Sequence, residues 1–348
     1  MSLAPLNDAA GCIMMVDGVS KAFRPGSSLG ARLKLAAATE IRAVDGVSLR
    51  IGRGELLGLI GESGSGKTTL ARLLTRLETC DSGIIQLRGQ QNLADLKGTD
   101  LRAFYRHVQM IFQDPFESLN PRFTVRETVM EPLRAQGIGN RETRSQMVKR
   151  AMERAGLRPV QKYLHRYPHE LSGGERQRLS IARALVLEPG LIIADEPVSM
   201  LDVSIRAGIL NLLKELSVRD GLSVLYISHD LSTSRYLCDR VAIMFRGKIV
   251  EIGPTEQVLE NPLHPYARML RSAVPDADPN ISRPRLAESV SEESLPQEFS
   301  GCRYAAECPH AMDECRAKVP LLMEASPEHR VACHLLKTEV RDELHSPT

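Results

Sequence analysis

The most constraining stretch of this 348-residue chain is an apolar run, LLGLI at 56–60, that leads directly into a glycine-rich octet. The octet reads Gly61-Glu62-Ser63-Gly64-Ser65-Gly66-Lys67-Thr68, and the segment after it, TTLARLLTRL at 68–77, has apolar spacing suited to a helix. A buried strand, a GxxxxGKT loop and a helix in this order form a phosphate-binding unit. The glycines let the backbone wrap around phosphates while successive N–H groups and the helix N-terminus face the negative charge. Lys67 then supplies a point charge to the β- and γ-phosphates, Thr68 a hydroxyl for Mg²⁺, and Thr69 reaches the α-phosphate side.

The rest of the chain supplies the sheet such a unit needs. Strand-like patterns occur at 13–23, 42–51, 81–90, 108–113, 191–195, 223–228 and 240–245, and a helical pattern covers 206–220. Strands alternating with helices imply a mostly parallel, helix-flanked α/β sheet. The block at 113–186 interrupts the alternation with helical patterns alone and reads as an inserted helical subdomain. Residues 274–296, rich in Pro, Ser and acidic side chains with no apolar period, read as a linker. The expected division is therefore 1–275 for the main unit and 276–348 for a small C-terminal domain.

Three further strand ends carry polar groups that belong with a nucleotide. LIIAD delivers Asp195 to the Mg²⁺ shell and Glu196 to a water poised for attack on a γ-phosphate. His229 follows the apolar strand SVLYIS and would donate to the γ-phosphate, although a lone histidine is more often structural. Gln113 ends VQMIFQ, where its amide can sense Mg²⁺ and the water. Finally Leu171-Ser172-Gly173-Gly174-Glu175 opens a helical pattern, which makes a second anion-binding helix N-terminus. One nucleotide does not need two γ-phosphate cradles, so Ser172, Gly173 and Gly174 are expected to serve a nucleotide held by a partner subunit.

Composition excludes some classes. Hydrophobic residues make up 43% and charged residues 25%, the balance of an ordinary globular protein, and the net charge of +2, with no strongly basic block, argues neither for nor against nucleic acid. No apolar run approaches the roughly 18 residues of a membrane span, and the N-terminus has no signal-peptide pattern. Cys12, Cys80 and Cys238 are scattered and read as small buried hydrophobes. Cys302, Cys308, Cys315 and Cys333, spaced C-x5-C-x6-C-x17-C, crowd the C-terminal end. Such a cluster in a chain without export signals reads as ligation before disulfides. The gaps lack the close pairs of zinc ribbons and suit a [4Fe–4S] cluster at least as well, so the ranking is iron–sulfur, then Zn²⁺, then unligated thiols. His310 and His334 are alternative ligands.

Together these motifs resemble the ATP-binding cassette (ABC) ATPases over residues 13–272. GESGSGKT resembles the Walker A motif, LIIADE the Walker B with catalytic Glu196, and LSGGE the signature. The resemblance implies an ABC nucleotide-binding domain: a RecA-like sheet, an inserted helical subdomain and an antiparallel β part. It puts Gln113 at the Q-loop, SMLD with Asp202 at the D-loop, His229 at the switch position, and Phe23 where an aromatic stacks on adenine. Met200 stands where the D-loop usually has Ala.

A narrower resemblance, carried by FQDPFESLNPRFTV (112–125), the 24–41 insertion and ENPLHPYARMLRSAVP (260–275), is to the ATP-binding subunits of dipeptide/oligopeptide/nickel importers. It implies Mg²⁺-dependent ATP hydrolysis that drives peptide import from the cytoplasmic face of the inner membrane, with peripheral attachment. The implied partners are two permeases, a second and paralogous ATPase, and an extracytoplasmic solute-binding protein. Pro115–Arg126 is expected to line a groove for a permease helix, through Phe116, Leu119 and Phe123. The alternatives are a nickel or opine importer, a soluble ABC ATPase acting on DNA or ribosomes, and an iron–sulfur sensor for which ATP is only a ligand. Only about a hundred residues separate the phosphate loop from LSGGE, too few for a chromosome-type coiled coil, and a single cassette argues against the ribosomal type.

Overall fold

A computed structural model describes residues 11–24, 40–273 and 300–336. Most of the 24–41 insertion and all of the 274–296 segment expected to be a linker lie outside the described residues. The centre of the molecule is an eight-stranded sheet. Its parallel part is formed by β3 (Leu56–Ile60), β5 (Val108–Ile111), β6 (Leu191–Asp195), β7 (Ser223–Ser228) and β8 (Arg240–Phe245), in the order β8-β3-β7-β6-β5. Strands β3, β6 and β7 are buried at every position. That is why they read as unbroken apolar runs rather than alternating ones.

Each face of the sheet buries a separate core. Leu57, Leu59, Ile193, Leu225 and Ile227 point to one side. There they meet α1 (Lys67–Leu74), α2 (Gly98–His107) and a three-stranded antiparallel sheet of β2 (Ile41–Gly52), β1 (Cys12–Phe23) and β4 (Ser82–Leu87). Leu56, Ile60, Ile192, Val224 and Tyr226 point to the other side. That core includes α4 (Val125–Ala135), α5 (Arg141–Arg154), α6 (Gly173–Leu185) and α7 (Val203–Asp220). Helices α4, α5 and α6, with the short α3 (Pro115–Ser118), form the helical insertion expected from the sequence. Its entry is fixed by a capping box in which the Thr124 side chain accepts from Glu127 N and the Glu127 carboxylate accepts from Thr124 N. Helix α7 stops at Gly221, whose φ of +66° is open to glycine at no steric cost.

Among the elements that the sequence reading did not assign are a helix over 98–107, a helix over 231–237 and a strand over 248–254. Helix α2 presents Phe104 as its buried residue, too little to mark an apolar period in the sequence. Helix α8 (Leu231–Leu237) is only two turns long. Strand β9 (Lys248–Pro254) carries Glu251 at its middle, and this charged residue is 0% exposed. The Glu251 carboxylate accepts from Leu263 N and His264 N and lies 2.8 Å from His329 Nε2, so its burial is fully partnered.

His329 belongs to β11 (His329–Val331), which pairs antiparallel with β9, and β10 (Met323–Ser326) pairs with β11. The C-terminal segment thus completes the main sheet in the order β10-β11-β9-β8. Helices α9 (Thr255–Glu260) and α10 (Pro265–Ala273) and the short α11 (Asp313–Ala317) pack around this end. Tyr304 is part of the same apolar core as Phe245 and Tyr266. Among the described residues, no helix is long and apolar enough to cross a membrane.

The doubly buried strands set the stability. Leu59→Ala removes a 0% exposed side chain at the sheet centre and should cost about 2–5 kcal/mol of unfolding free energy. Denaturant unfolding of the purified chain checks this; a loss below about 1 kcal/mol would contradict the described core.

Candidate functional site

The parallel register brings the polar groups to one edge. Ile60 pairs with Ser228, Asp195 with Ile227, and Ile111 with Ala194. The strands therefore end level, and the residues after them share the carboxyl edge, where open α/β sheets bind ligands. Those residues are Gly61, Glu196, His229 and Gln113.

Between Ile60 and α1, the octet forms a tight turn whose glycines have steric reasons. Gly66 has φ +102°, and a Cβ there would collide with the Ala43 carbonyl oxygen of β2. At Gly61 a Cβ would strike the Met244 carbonyl oxygen of β8, and Gly64 has φ +78°. Lys67 is buried, and its Nζ donates to Gly61 O and Glu62 O at 2.7 Å each and to Ser65 Oγ at 3.4 Å. Burial holds the Lys67 ammonium below the usual lysine range, against the opposing pull of Glu196 and Asp195. Ser63, Thr68 and Thr69 lie on the more open side of the loop.

Asp195 ends β6 and is buried. Burial is the main influence and raises its pKa, while a hydrogen bond from the Thr68 hydroxyl acts the other way. Its Oδ1 is buried without a hydrogen-bond partner, which makes it a carboxylate oxygen suited to a cation or its hydration shell. Thr68 and Asp195 thus fit Mg²⁺. Glu196 follows with φ +44°, a strained value for a residue with a side chain. Its two carboxylate oxygens are held separately: Gln113 Nε2 donates to Oε2 at 3.1 Å, and His229 Nδ1 lies 3.1 Å from Oε1. Three strand ends therefore converge on one carboxylate, whereas the sequence reading assigned His229 to the γ-phosphate and Gln113 to Mg²⁺ and the water.

Ser172 caps α6 through a capping box with Glu175: Ser172 Oγ accepts from Glu175 N, and Ser172 N donates to Glu175 Oε2 at 2.9 Å. The Ser172 hydrogen bonds and a bond from Tyr163 hold the Glu175 carboxyl below the usual range. Gly173 leaves the helix N-terminus open, whereas a Cβ on Gly174 would come within 2.6 Å of Ile205 Cγ2. The contacts of this second cradle run to Glu175, Leu201 and Ile205, whereas those of the first run within the loop and to Ala43, Met244, Gly247 and Tyr266. Asp202 begins α7 with no side-chain cap bond, next to the exposed Met200 and Val203. Phe23 is 41% exposed with Lys21 Nζ over its ring. It pairs with Ile41, two residues from the carbonyl that abuts Gly66.

The segment expected to line a permease groove is only partly exposed. Leu119 is buried in the core and Phe123 is half-buried; the Phe116 side chain lies outside the described residues. A cavity of about 280 Å³ does open between the sheet and the helical insertion, with Tyr105, Gln109, Phe112, Ser118, Glu131 and Gln136 on its wall.

Cys302, Cys308, Cys315 and Cys333 converge on one small cavity that His310, His334 and Tyr304 also line. Burial raises the thiol pKa of Cys302 and Cys308, and that of Cys333 to about 11, with neighbouring cysteines adding to each. Among the described residues, however, no three His, Cys, Asp or Glu side chains are grouped to hold a metal ion as they stand. The sequence reading also missed Tyr266, whose hydroxyl accepts a hydrogen bond from Glu62 N in the phosphate loop at 3.2 Å. Nothing in the surrounding sequence, HPYARMLRSA, marked that role.

Comparison with known proteins gives consistent matches. The family model described as ABC transporter matches residues 44–199, and that described as oligopeptide/dipeptide transporter, C-terminal region, matches residues 250–315. A putative peptide import ATP-binding protein of Brucella ovis is 46% identical over 293 residues, 84% of this chain and 92% of that one. The oligopeptide transport ATP-binding protein OppF of Escherichia coli is 46% identical over 298 residues, 84% of this chain and 87% of that one. AppF of Bacillus subtilis, with the same description, is 44% identical over 299 residues, 85% and 90% of the two chains. Among solved structures, the dimeric bacterial ABC transporter cassette MJ0796 is 28% identical with a TM-score of 0.60, covering 70% of this chain and 99% of that one. The phosphate loop, the held Glu196, the helical insertion and these matches agree, and the chain belongs to the ABC transporter family, among the ATP-binding proteins of the dipeptide/oligopeptide type.

Proposed function

We propose that the chain hydrolyses ATP to drive import of peptides through a membrane permease. The observation that carries the mechanism is the Glu196 carboxylate, gripped from two sides by Gln113 and His229 at the ends of three parallel strands. Held in this way, Glu196 aligns a water with the γ-phosphate and takes its proton as the bond forms. Gly61–Thr69 binds the phosphates through backbone N–H groups and Lys67, and Phe23 covers the adenine. Thr68, Gln113 and Asp195 would hold Mg²⁺, which would supply Lewis-acid charge neutralisation to the phosphates.

The trans reading of LSGGE is supported by where its cradle lies. Ser172 Oγ and the amides of Gly173 and Gly174 crown α6, with their contacts to the start of α7 and not within the loop. In this reading two ATPs are clamped between two ATPase subunits, with Asp202 at the seam, and closure rearranges the permeases. The partner is a paralogous ATPase, two permeases sit above the pair, and an extracytoplasmic binding protein delivers the cargo. The chain attaches peripherally at the cytoplasmic face, with no role for nucleic acid. The 280 Å³ cavity beside Gln113 is the seat for a permease helix. Relatives named for oligopeptide transport favour peptides over nickel or opines, and favour transport over a soluble ABC function or a sensor role.

We keep residues 1–275 as the ATPase unit and 276–348 as an appended segment that carries the four-cysteine set. A [4Fe–4S] cluster, with Zn²⁺ as the alternative, is the reading we give Cys302, Cys308, Cys315 and Cys333, which line one small cavity without being grouped to hold a metal as they stand. These residues must close on the metal and release their thiol protons to do so.

Three measurements test this. Glu196→Gln in the assembled transporter should still bind ATP while turnover falls about 10²-fold or more; retained turnover would remove Glu196 from the mechanism. Gly66→Ala, strained in φ and in collision with Ala43, should abolish ATP binding, read by calorimetry on the purified chain. Protein prepared without oxygen should carry iron and acid-labile sulfide that Cys315→Ser loses. Stoichiometric zinc would select the alternative, and neither metal would leave the cysteines as thiols.

A further inference from the structure

The phosphate loop is braced from outside by residues that the ATPase mechanism does not use. At its start, Glu62 N donates to the hydroxyl of Tyr266, a ring that is 0% exposed. At its middle, Ser65 O accepts from Gly247 N at 2.8 Å, and Gly247 O accepts from Asp45 N. Both braces lead to the C-terminal segment. Tyr304 packs on Tyr266 with ring centroids 5.5 Å apart and meets Phe245 edge-on at 5.2 Å; Phe245 also packs on Tyr266 at 4.4 Å. Arg303 donates from Nη2 to Asp45 Oδ2 at 2.6 Å and from Nη1 to the Arg246 carbonyl. Arg246 in turn pairs with Glu307 at 2.6 Å. The stretch 302–308, which carries two of the cysteines, is therefore linked to both parts of the loop through Tyr266 on one side and Asp45, Arg246 and Gly247 on the other.

We propose that Tyr266, held in place by Tyr304, is a positioning residue for ATP: its hydroxyl fixes the Glu62 amide, so the C-terminal segment sets nucleotide affinity. A buried phenol that faces apolar rings on its sides and one backbone amide at its tip has a narrow choice of positions. Removing the hydroxyl frees the Glu62 peptide to turn, which spoils the row of N–H groups that receives phosphate. Removing Tyr304 lets the Tyr266 ring shift and loosens the same bond. The groups that touch ATP are unchanged in both cases, so binding suffers and the bond-breaking step does not. The inference rests on Gly61–Thr68 being the ATP loop, but assigns a role to residues outside it.

The test is steady-state ATP hydrolysis by the assembled transporter across ATP concentrations, with the melting temperature of each full-length variant. Tyr266→Phe keeps ring and volume and should raise KM for ATP about 3- to 10-fold, the worth of one hydrogen bond, with kcat within about 2-fold. Tyr304→Met should raise KM similarly and Tyr304→Phe should not. The double variant Tyr266→Phe/Tyr304→Met should show no further rise, because both act through one bond. An unchanged KM in Tyr266→Phe or in Tyr304→Met, whether or not its melting temperature falls, overturns the proposal. So does a loss confined to kcat, or an additive double variant. Absence of hydrolysis in the wild-type transporter would instead refute the ATPase assignment itself.

Discussion

Ile60 beside Ser228, Asp195 beside Ile227 and Ile111 beside Ala194 are pairings of one parallel ladder, and the active edge depends on them. Because parallel hydrogen bonds are evenly spaced, strands in register end together. The next residue of each chain segment is then delivered to the same place without any loop having to reach. A slip of one residue in β6 would turn Asp195 to the other face and carry Glu196 away from Gln113 and His229. The apolar residues on both faces of β3, β6 and β7 hold that register, so the core and the chemistry are specified by the same side chains.

Within that frame the site divides into groups that are fixed and groups that are strained. Lys67 is anchored by two loop carbonyls, and the glycines at 61 and 66 let Met244 and Ala43 approach where a methyl group could not fit. Glu196 is bent into a left-handed backbone conformation, a cost of about 1–3 kcal/mol, and its carboxylate is held between an amide and an imidazole. Asp195 keeps a buried oxygen without a protein partner. A surface designed only for stability would satisfy that oxygen; a site that takes a cation leaves it open.

The C-terminal segment is more than an appendage on this frame. It contributes two strands to the main sheet, a tyrosine to its core and an arginine that pairs with Asp45. The buried Glu251–His329 pair fastens β9 to β11, and breaking one partner would leave an uncompensated polar group inside. The cysteine-lined cavity lies along the same stretch, with Tyr304 as the shared wall.

Much of this was legible from residue order. The strand–loop–helix unit, the apolar strands ending at Gln113, Asp195 and His229, the helical insertion and the crowding of four cysteines are local patterns, carried by residues near one another in the chain. Other features were not legible, because their causes are distant in sequence. Glu251 in the middle of β9 reads as a solvated charge until His329 and the Leu263–His264 amides are brought to it. Helix α2 buries a single large side chain, too little to mark a period. Tyr266 looks like one more apolar position in a helix, and its hydroxyl gains meaning only when Glu62, two hundred residues earlier, is folded against it. The sequence alone determined which groups can bind phosphate and activate water, since those roles follow from residue type and local spacing. The tertiary structure decided which groups meet, because burial, register and the closing of distant segments depend on the whole packed chain.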